Sequence, residues 1–325
     1  MTFYRNLILI ALILAFGIVS LGAYARLSDP GLGCPGWPGC YGKPASQQAA
    51  GAGSTEFDSR LDGSISRAIS WKQAPHLYLT GALGGLLVLI VVLNWRGRCE
   101  ARGGLGLPLL LLGLTGFLLT MAMTTKMPRP LIESVHLLGG MATLSLLLWL
   151  WLRERPQLSH AYFARADHLR SGAMIGLLLV LVQIALGGWV STHHAALACT
   201  DFPLCQGRWV PLMDFAKGFT LQHDLGETAS GAALPMAALT AIHWTHRLMA
   251  LMVTLYLAWL MLRLMRSPGY IDIGLMVGAL LVLQWVLGLS RFFLDWPLAW
   301  AVAHSAGAAL LLSSMVLLNY RIRRQ

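Results

Sequence analysis

Four histidines, His76, His136, His246 and His304, stand out in a chain that is otherwise strongly apolar. Each sits in or beside an apolar stretch long enough to cross a bilayer, where an imidazole is costly and usually faces a functional interior. Their spacing is regular. His76 and His136 are 60 residues apart (76 to 136), His246 and His304 are 58 apart (246 to 304), and the two sets are offset by 170 and 168. Two imidazoles facing each other across a helix bundle make an axial cage for the iron of a flat macrocycle. One buried histidine would read as a hydrogen-bonded core residue; four at matching depth in a repeated frame point to haem. Copper or another bare metal is the alternative, but no carboxylate or thiolate cluster accompanies the histidines.

Neighbouring residues extend this reading. Gly81, Gly84 and Gly85 follow His76, Gly139 and Gly140 follow His136, and Ala306 and Gly307 follow His304; these are expected to give the ring room. Arg247, directly after His246, is expected to meet a haem propionate as a bidentate partner. His243 is either a support for His246 or an interface residue. His193, His194 and His223 are expected to be solvated, and His160 and His168 to be structural.

The elements that must hold these residues follow from composition. Of the 325 residues, 56% are hydrophobic and only 12% charged, with a mean hydropathy of +0.63. Soluble domains carry about a quarter charged residues, so a soluble enzyme is excluded. Apolar stretches lie at about 7–25, 76–94, 105–124, 131–152, 171–191, 240–262, 271–290 and 297–319, each near the roughly 20 helical residues that a hydrocarbon core requires. The first is read as a retained helix, because no small-residue cleavage site follows it. The expected fold is therefore an all-α integral membrane protein with eight transmembrane helices. The net charge of +10 is a topology signal and not a nucleic-acid footprint. Arg5, Arg96, Arg98, Arg102, Arg153, Arg155, Arg165, Arg170, Arg263, Arg266, Arg321, Arg323 and Arg324 would place both termini and the short loops in the cytoplasm, with the connections at 26–75 and 192–239 outside.

Residues 21–42 lie over residues 186–207 at a constant offset of 165, with Leu21, Gly22, Leu32, Cys34, Pro38, Cys40 and Gly42 falling on identical residues. This duplication implies two tandem four-helix bundles, 1–152 and 153–325, related by a pseudo-two-fold axis along the membrane normal. Cys34 and Cys40 share the first outside connection, and Cys199 and Cys205 the second. An oxidising compartment permits disulfides there, so the pairs read as local disulfides or reversible dithiols. Zinc is the competing reading, against which C-x5-C is an unusual spacing. Cys99 has no assigned role.

The motifs LGAYARLSDPGLGCPGWPGCYG at 21–42, HLLGGMATL at 136–144, QIALGGWVS at 183–191, CTDFPLCQGRWVPLMDF at 199–215, IHWTHR at 242–247 and AVAHSAGAALLL at 301–312 resemble those of the haem A synthase family. The likeness covers nearly the whole chain. It implies a bacterial cytoplasmic (inner) membrane enzyme that oxidises the C8 methyl of haem O to the formyl of haem A, for terminal oxidases. It further implies a haem b held by His246 and His304, and substrate haem O bound near His76 and His136, all four histidines serving as axial ligands. The expected partners are haem O, membrane lipid, an outside electron acceptor and the enzyme that supplies haem O; a homo-oligomer stays open.

One departure bears on chemistry. The family carries E-x-x-H-R at the second span, whereas this chain reads Gln73-Ala-Pro-His76-Leu77. Glu133, three residues before His136, offers a carboxylate at the corresponding height from the opposite helix, as a general base. The competing readings are an N-terminal half with altered catalysis or a substitution without consequence. The third span also lacks the Q-x-x-L-G pattern of Gln183–Gly187 and Gln284–Gly288. The alternative function is a bis-histidine haem b electron carrier, or a haem-handling or assembly protein.

Overall fold

The computed structural model describes residues 2–28, 56–97, 104–122, 128–154, 167–221, 234–294 and 298–323, with backbone alone at 2, 56–74, 122, 129 and 167. Within them the chain forms α1 (Thr2–Ser28), α2 (Glu56–Trp95), α3 (Gly106–Ala122), α4 (Arg129–Arg153), α5 (Asp167–Thr192), a 3-10 turn (Ala195–Leu197), the short α6 (Phe215–Gly218), α7 (Met236–Met265), α8 (Ile271–Phe293) and α9 (Leu298–Arg323). Among the described residues there is no strand, only an isolated bridge between Cys205 and Arg208. Helices dominate for a simple reason. An apolar segment of this length can satisfy its backbone in lipid only by bonding within itself.

Seven helices are long and apolar enough to cross a membrane, beginning with Phe3–Ser28 and ending with Leu298–Arg323. The stretch expected at 105–124 forms α3, whose 17 residues reach only about 25 Å at the helical rise, short of a core of about 30 Å. The chain is therefore a multi-pass, all-helical membrane protein by the length and composition of these seven. Helix α2 carries Pro75 internally, and its apolar part starts there, at Pro75–Trp95.

The neighbour relations repeat. Helix α1 packs on α2 and α4, and α3 lies between α2 and α4; in the same way α5 packs on α7 and α9, and α8 lies between α7 and α9. The two sets meet where α1 and α4 touch α5 and α9. Half of the α9 span is buried, against 17% for α2, so α9 is the central helix. One continuous core runs through both sets, from Ile8 and Leu87 to Leu257 and Leu312.

Buried polar groups tie the helices together. Asn319 Nδ2 on α9 donates to the carbonyl of Ala173 at 2.9 Å, and Tyr256 on α7 donates its hydroxyl to Gly172 O at 2.9 Å. Tyr320 Oη donates to Leu152 O at 2.6 Å, joining α9 to the end of α4. A buried hydroxyl without such a partner would be costly. Removing this bond by Tyr320→Phe should cost about 1 kcal/mol and lower the thermal unfolding midpoint in detergent by about 2–4 °C. An unchanged midpoint would show that the bond contributes nothing to joining the two sets.

Candidate functional site

His76 lies just inside the apolar part of α2, and His136 lies two turns into α4. Their ring centroids are 5.9 Å apart with planes at 50°. Metal–nitrogen bonds of about 2.0–2.1 Å on each side would set two such centroids about 6 Å apart, so the rings are spaced to share one iron. Glycine leaves room at the outer edge of the ring: a Cβ at Gly22 of α1 would sit 3.2 Å from His76 Nε2. Glu133 is half-buried on α4, one turn before His136, and its charge acts on Arg26 of α1. Of Gln73 only the backbone is described, and Cys34 and Cys40 lie outside the described residues.

The second couple lines a cavity of about 510 Å³, to which His246 comes from α7 and His304 from α9. Here too a glycine lies against the outer edge of each ring. A Cβ at Gly187 of α5 would be 3.1 Å from His246 Cε1, and one at Gly288 of α8 would be 3.4 Å from His304 Cε1. Both glycines end a Q-x-x-L-G pattern, and the glutamines are used as well. Gln183 Nε2 is 3.2 Å from His246 Nδ1 and donates to His246 O at 3.3 Å, while Gln284 Nε2 donates to His304 O at 3.2 Å. At the position 165 before Gln183 stands Ile18, so α1 keeps the glycine and lacks the amide.

The donor set fits a haem. Two imidazoles, from opposite helices, leave the remaining coordination positions of any metal to be filled by its own macrocycle. Among the described residues no group of three or more His, Cys, Asp or Glu could hold a bare ion. The cavity lies within the size range of cofactor sites, and its walls are mainly apolar, as Val180, Ile184, Leu281 and Leu311 illustrate. His304 Nδ1 is buried without a described partner, as a ring would be that awaits a ligand to fix its tautomer.

The glycines expected to make room mostly serve elsewhere. Gly139 opposes Leu118 of α3, Gly140 opposes Val19 of α1, and the Gln284 amide fills the space over Gly307; only Gly81, Gly84 and Gly85 face open space. The ring-backing glycines belong to the helix before each ligand helix. The signal was present in the sequence as Leu21-Gly22 and the two Q-x-x-L-G runs.

Above the second cavity the segment 193–221 folds as a cap. Cys199 and Cys205 form a disulfide. Arg247 donates to the carbonyls of Cys199, Asp201 and Leu204 at 2.9–3.0 Å, and Arg291 of α8 donates to Cys199 O at 3.0 Å. Arg247 thus lines the cavity while holding the cap with three of its N–H groups. Gln206 adds bonds to Ala198 O and Thr240 Oγ1. The expectation that His193 and His194 are solvated is wrong. His193 is 0% exposed, with Nδ1 3.0 Å from Trp189 O and its ring packed against Trp189 at a tilt of 42°; His194 is half-buried and lines the cavity. Turn residues in a cap packed on helices are interior, which loop position alone did not reveal. His243 is buried in the cavity wall and not at an interface, while His168 is exposed. His160 and His223 lie outside the described residues.

Within the cap, Asp201 accepts from the backbone N–H of Gly207 at 2.8 Å and of Gln206 at 2.7 Å. The Gly207 bond above all, helped by Gln206 and the Arg247 charge, holds its carboxyl below the usual aspartate range. A carboxyl depressed in the folded state stabilises it fully above the ordinary value of about 3.9 and loses that contribution as pH falls through the folded value. Asp201→Asn should therefore speed phosphine reduction of Cys199–Cys205 at neutral pH, and the wild type should approach the variant's rate under acid. Equal rates at neutral pH, followed by alkylation and mass measurement, would dismiss Asp201 as a brace.

Comparison with known proteins agrees with this geometry. The chain is 37% identical to a protein named Heme A synthase of Shewanella oneidensis, over 97% of this chain and 95% of the relative. It is 28% identical to the Heme A synthase of Methylobacterium radiotolerans, over 98% and 90%, and 25% identical to that of Rhizorhabdus wittichii, over 96% and 91%. The COX15-CtaA family model, described as cytochrome oxidase assembly protein, matches residues 5–316. With almost every residue from α1 to α9 inside that match, the chain belongs to the COX15-CtaA family.

Proposed function

We propose that the chain is a haem A synthase, a membrane oxidoreductase that takes haem O and oxidises its C8 methyl to a formyl. The observation that carries this reading is the pair of histidine couples, His76 with His136 and His246 with His304, in a chain whose relatives bear that name. On this reading residues 1–152 form the substrate half, with haem O between His76 and His136. Residues 153–325 form the half that holds haem b between His246 and His304. The halves are tandem four-helix bundles with α3 as the eighth span, related by a pseudo-two-fold axis along the membrane normal. The repeated neighbour relations support this, as does the contact between Arg26 and Ser191, positions 165 apart. The Arg distribution favours cytoplasmic termini, with the cap on the exoplasmic side of the inner membrane.

The bound haem supplies the redox chemistry that no side chain offers. The chain's own residues orient it and handle protons. His76 and His136 would hold the iron of haem O, with Gly22 leaving room beside the His76 ring. Glu133, one turn from His136, accepts protons released as the methyl is oxidised, doing the work of the glutamate that Gln73 replaces. In the other half Gln183 and Gln284 hold the backbone of the ligand turns. Water would supply the formyl oxygen, the electrons would pass to an acceptor on the cap side, and Cys34–Cys40 is proposed as a second disulfide over the substrate half.

Expression in cells that make haem O but no haem A, followed by pigment extraction and mass analysis, tests the reading. Haem A should appear; recovery of haem O and haem B alone would refute it. Glu133→Gln should cut haem A formation by about 10²-fold or more with the b-type spectrum retained, and undiminished formation would remove Glu133 from the mechanism. His246→Ala or His304→Ala should abolish the low-spin b-type spectrum.

A further inference from the structure

The cavity holding His246 and His304 is lined by three arginines, Arg26, Arg247 and Arg291, and by no aspartate or glutamate. Guanidinium groups at this depth need anionic or strongly polar partners. Each has at least one in protein. Arg247 spends three N–H groups on the cap carbonyls of Cys199, Asp201 and Leu204, and Arg291 donates to Cys199 O. Arg26 differs. It is carried by α1, in the other half of the chain, yet it lines this cavity. Its Nε donates to Ser191 Oγ at 2.9 Å, and its two Nη groups have no hydrogen-bond partner among the described residues.

Its position is set by the duplication. Ser191 follows Gly187 by four residues, and Arg26 follows Gly22 by four; each is one helical turn past a glycine that backs a histidine ring. Residues at equivalent positions that touch must lie at the junction of the two repeats. The Ser191 bond fixes one edge of the Arg26 guanidinium and leaves the Nη fork, a geometry that matches a carboxylate.

We propose that Arg26 is a cofactor-binding residue of the C-terminal cavity, crossing from the N-terminal half to hold a carboxylate of the macrocycle bound there. The ligand chemistry is a porphyrin propionate, and the inference rests on the haem b reading of that cavity. Arg247 then anchors the cap, and Arg26 takes the propionate role that adjacency to His246 suggested for Arg247. The competing carboxylate is Glu133, whose charge reaches Arg26 from the substrate half.

A ligand–protein double cycle tests this without reference to turnover. The full-length protein and Arg26→Gln are loaded with iron protoporphyrin IX or with its dimethyl ester, which lacks free carboxylates. Loss to excess apomyoglobin is then timed. Arg26→Gln should lose the free acid about tenfold or more faster than wild type, whereas the two proteins should lose the ester at equal rates. Arg26→Lys should restore much of the retention of the free acid. A penalty of equal size for acid and ester would assign Arg26 to Glu133 or to the fold and overturn the proposal, as would no penalty for either. A wild type that binds neither macrocycle with a low-spin spectrum would refute the haem b reading itself, a distinguishable failure.

Discussion

Close approach of a helix backbone to the outer edge of an imidazole ring is the constraint on which this molecule is built. A histidine at bilayer depth is tolerated when its ring has a fixed place and a partner. At Gly22, Gly187 and Gly288 the missing side chain lets one helix press on the ring carried by another, leaving 3.1–3.4 Å where a Cβ would stand. Each contact fixes both the crossing of two helices and the orientation of a ligand. Alanine at Gly22 or Gly187 would need the facing ring to give by a few tenths of an ångström, while at Gly288 it would make ordinary contact, so ring placement and helix packing are linked most tightly at the first two.

The junction between the halves extends the same logic. Leu137 follows His136, and its side chain occupies the space beside Gly188, which follows Gly187 behind His246. One leucine therefore packs between the two histidine couples. The cap adds a second level of fixation, because Arg247 follows His246 and holds three carbonyls within and beside the disulfide loop. The cap is thus tied directly to the turn of α7 that carries His246.

Much of this was legible in the sequence. The apolar stretches marked the membrane-length helices, although α2 begins at Glu56, some twenty residues before the stretch expected at 76–94. The offset of 165 points to a repeat, with which the neighbour relations of α1–α4 and α5–α9 are compatible. The spacing of His76 and His136 was enough to expect facing rings. What escaped was side-chain direction between helices. Gly139 and Gly307 looked like ring neighbours because they follow ligands in sequence, but residues three along a helix lie on the same face only roughly, and these turn toward Leu118 and Gln284. His193 looked solvated because it follows a helix end, whereas the cap buries it against Trp189. Arg26 looked like part of a loop signature, and its reach into the other half depends on tertiary packing that no local pattern encodes.

The amides of Gln183 and Gln284 draw a further distinction between the halves. Each donates to the carbonyl of a cavity histidine, His246 or His304, while α1 offers Ile18 at the corresponding place. On the proposed assignment, one half keeps a permanent tenant and the other must discharge its guest after every cycle. A firm clasp suits long residence, and a slacker one permits exchange.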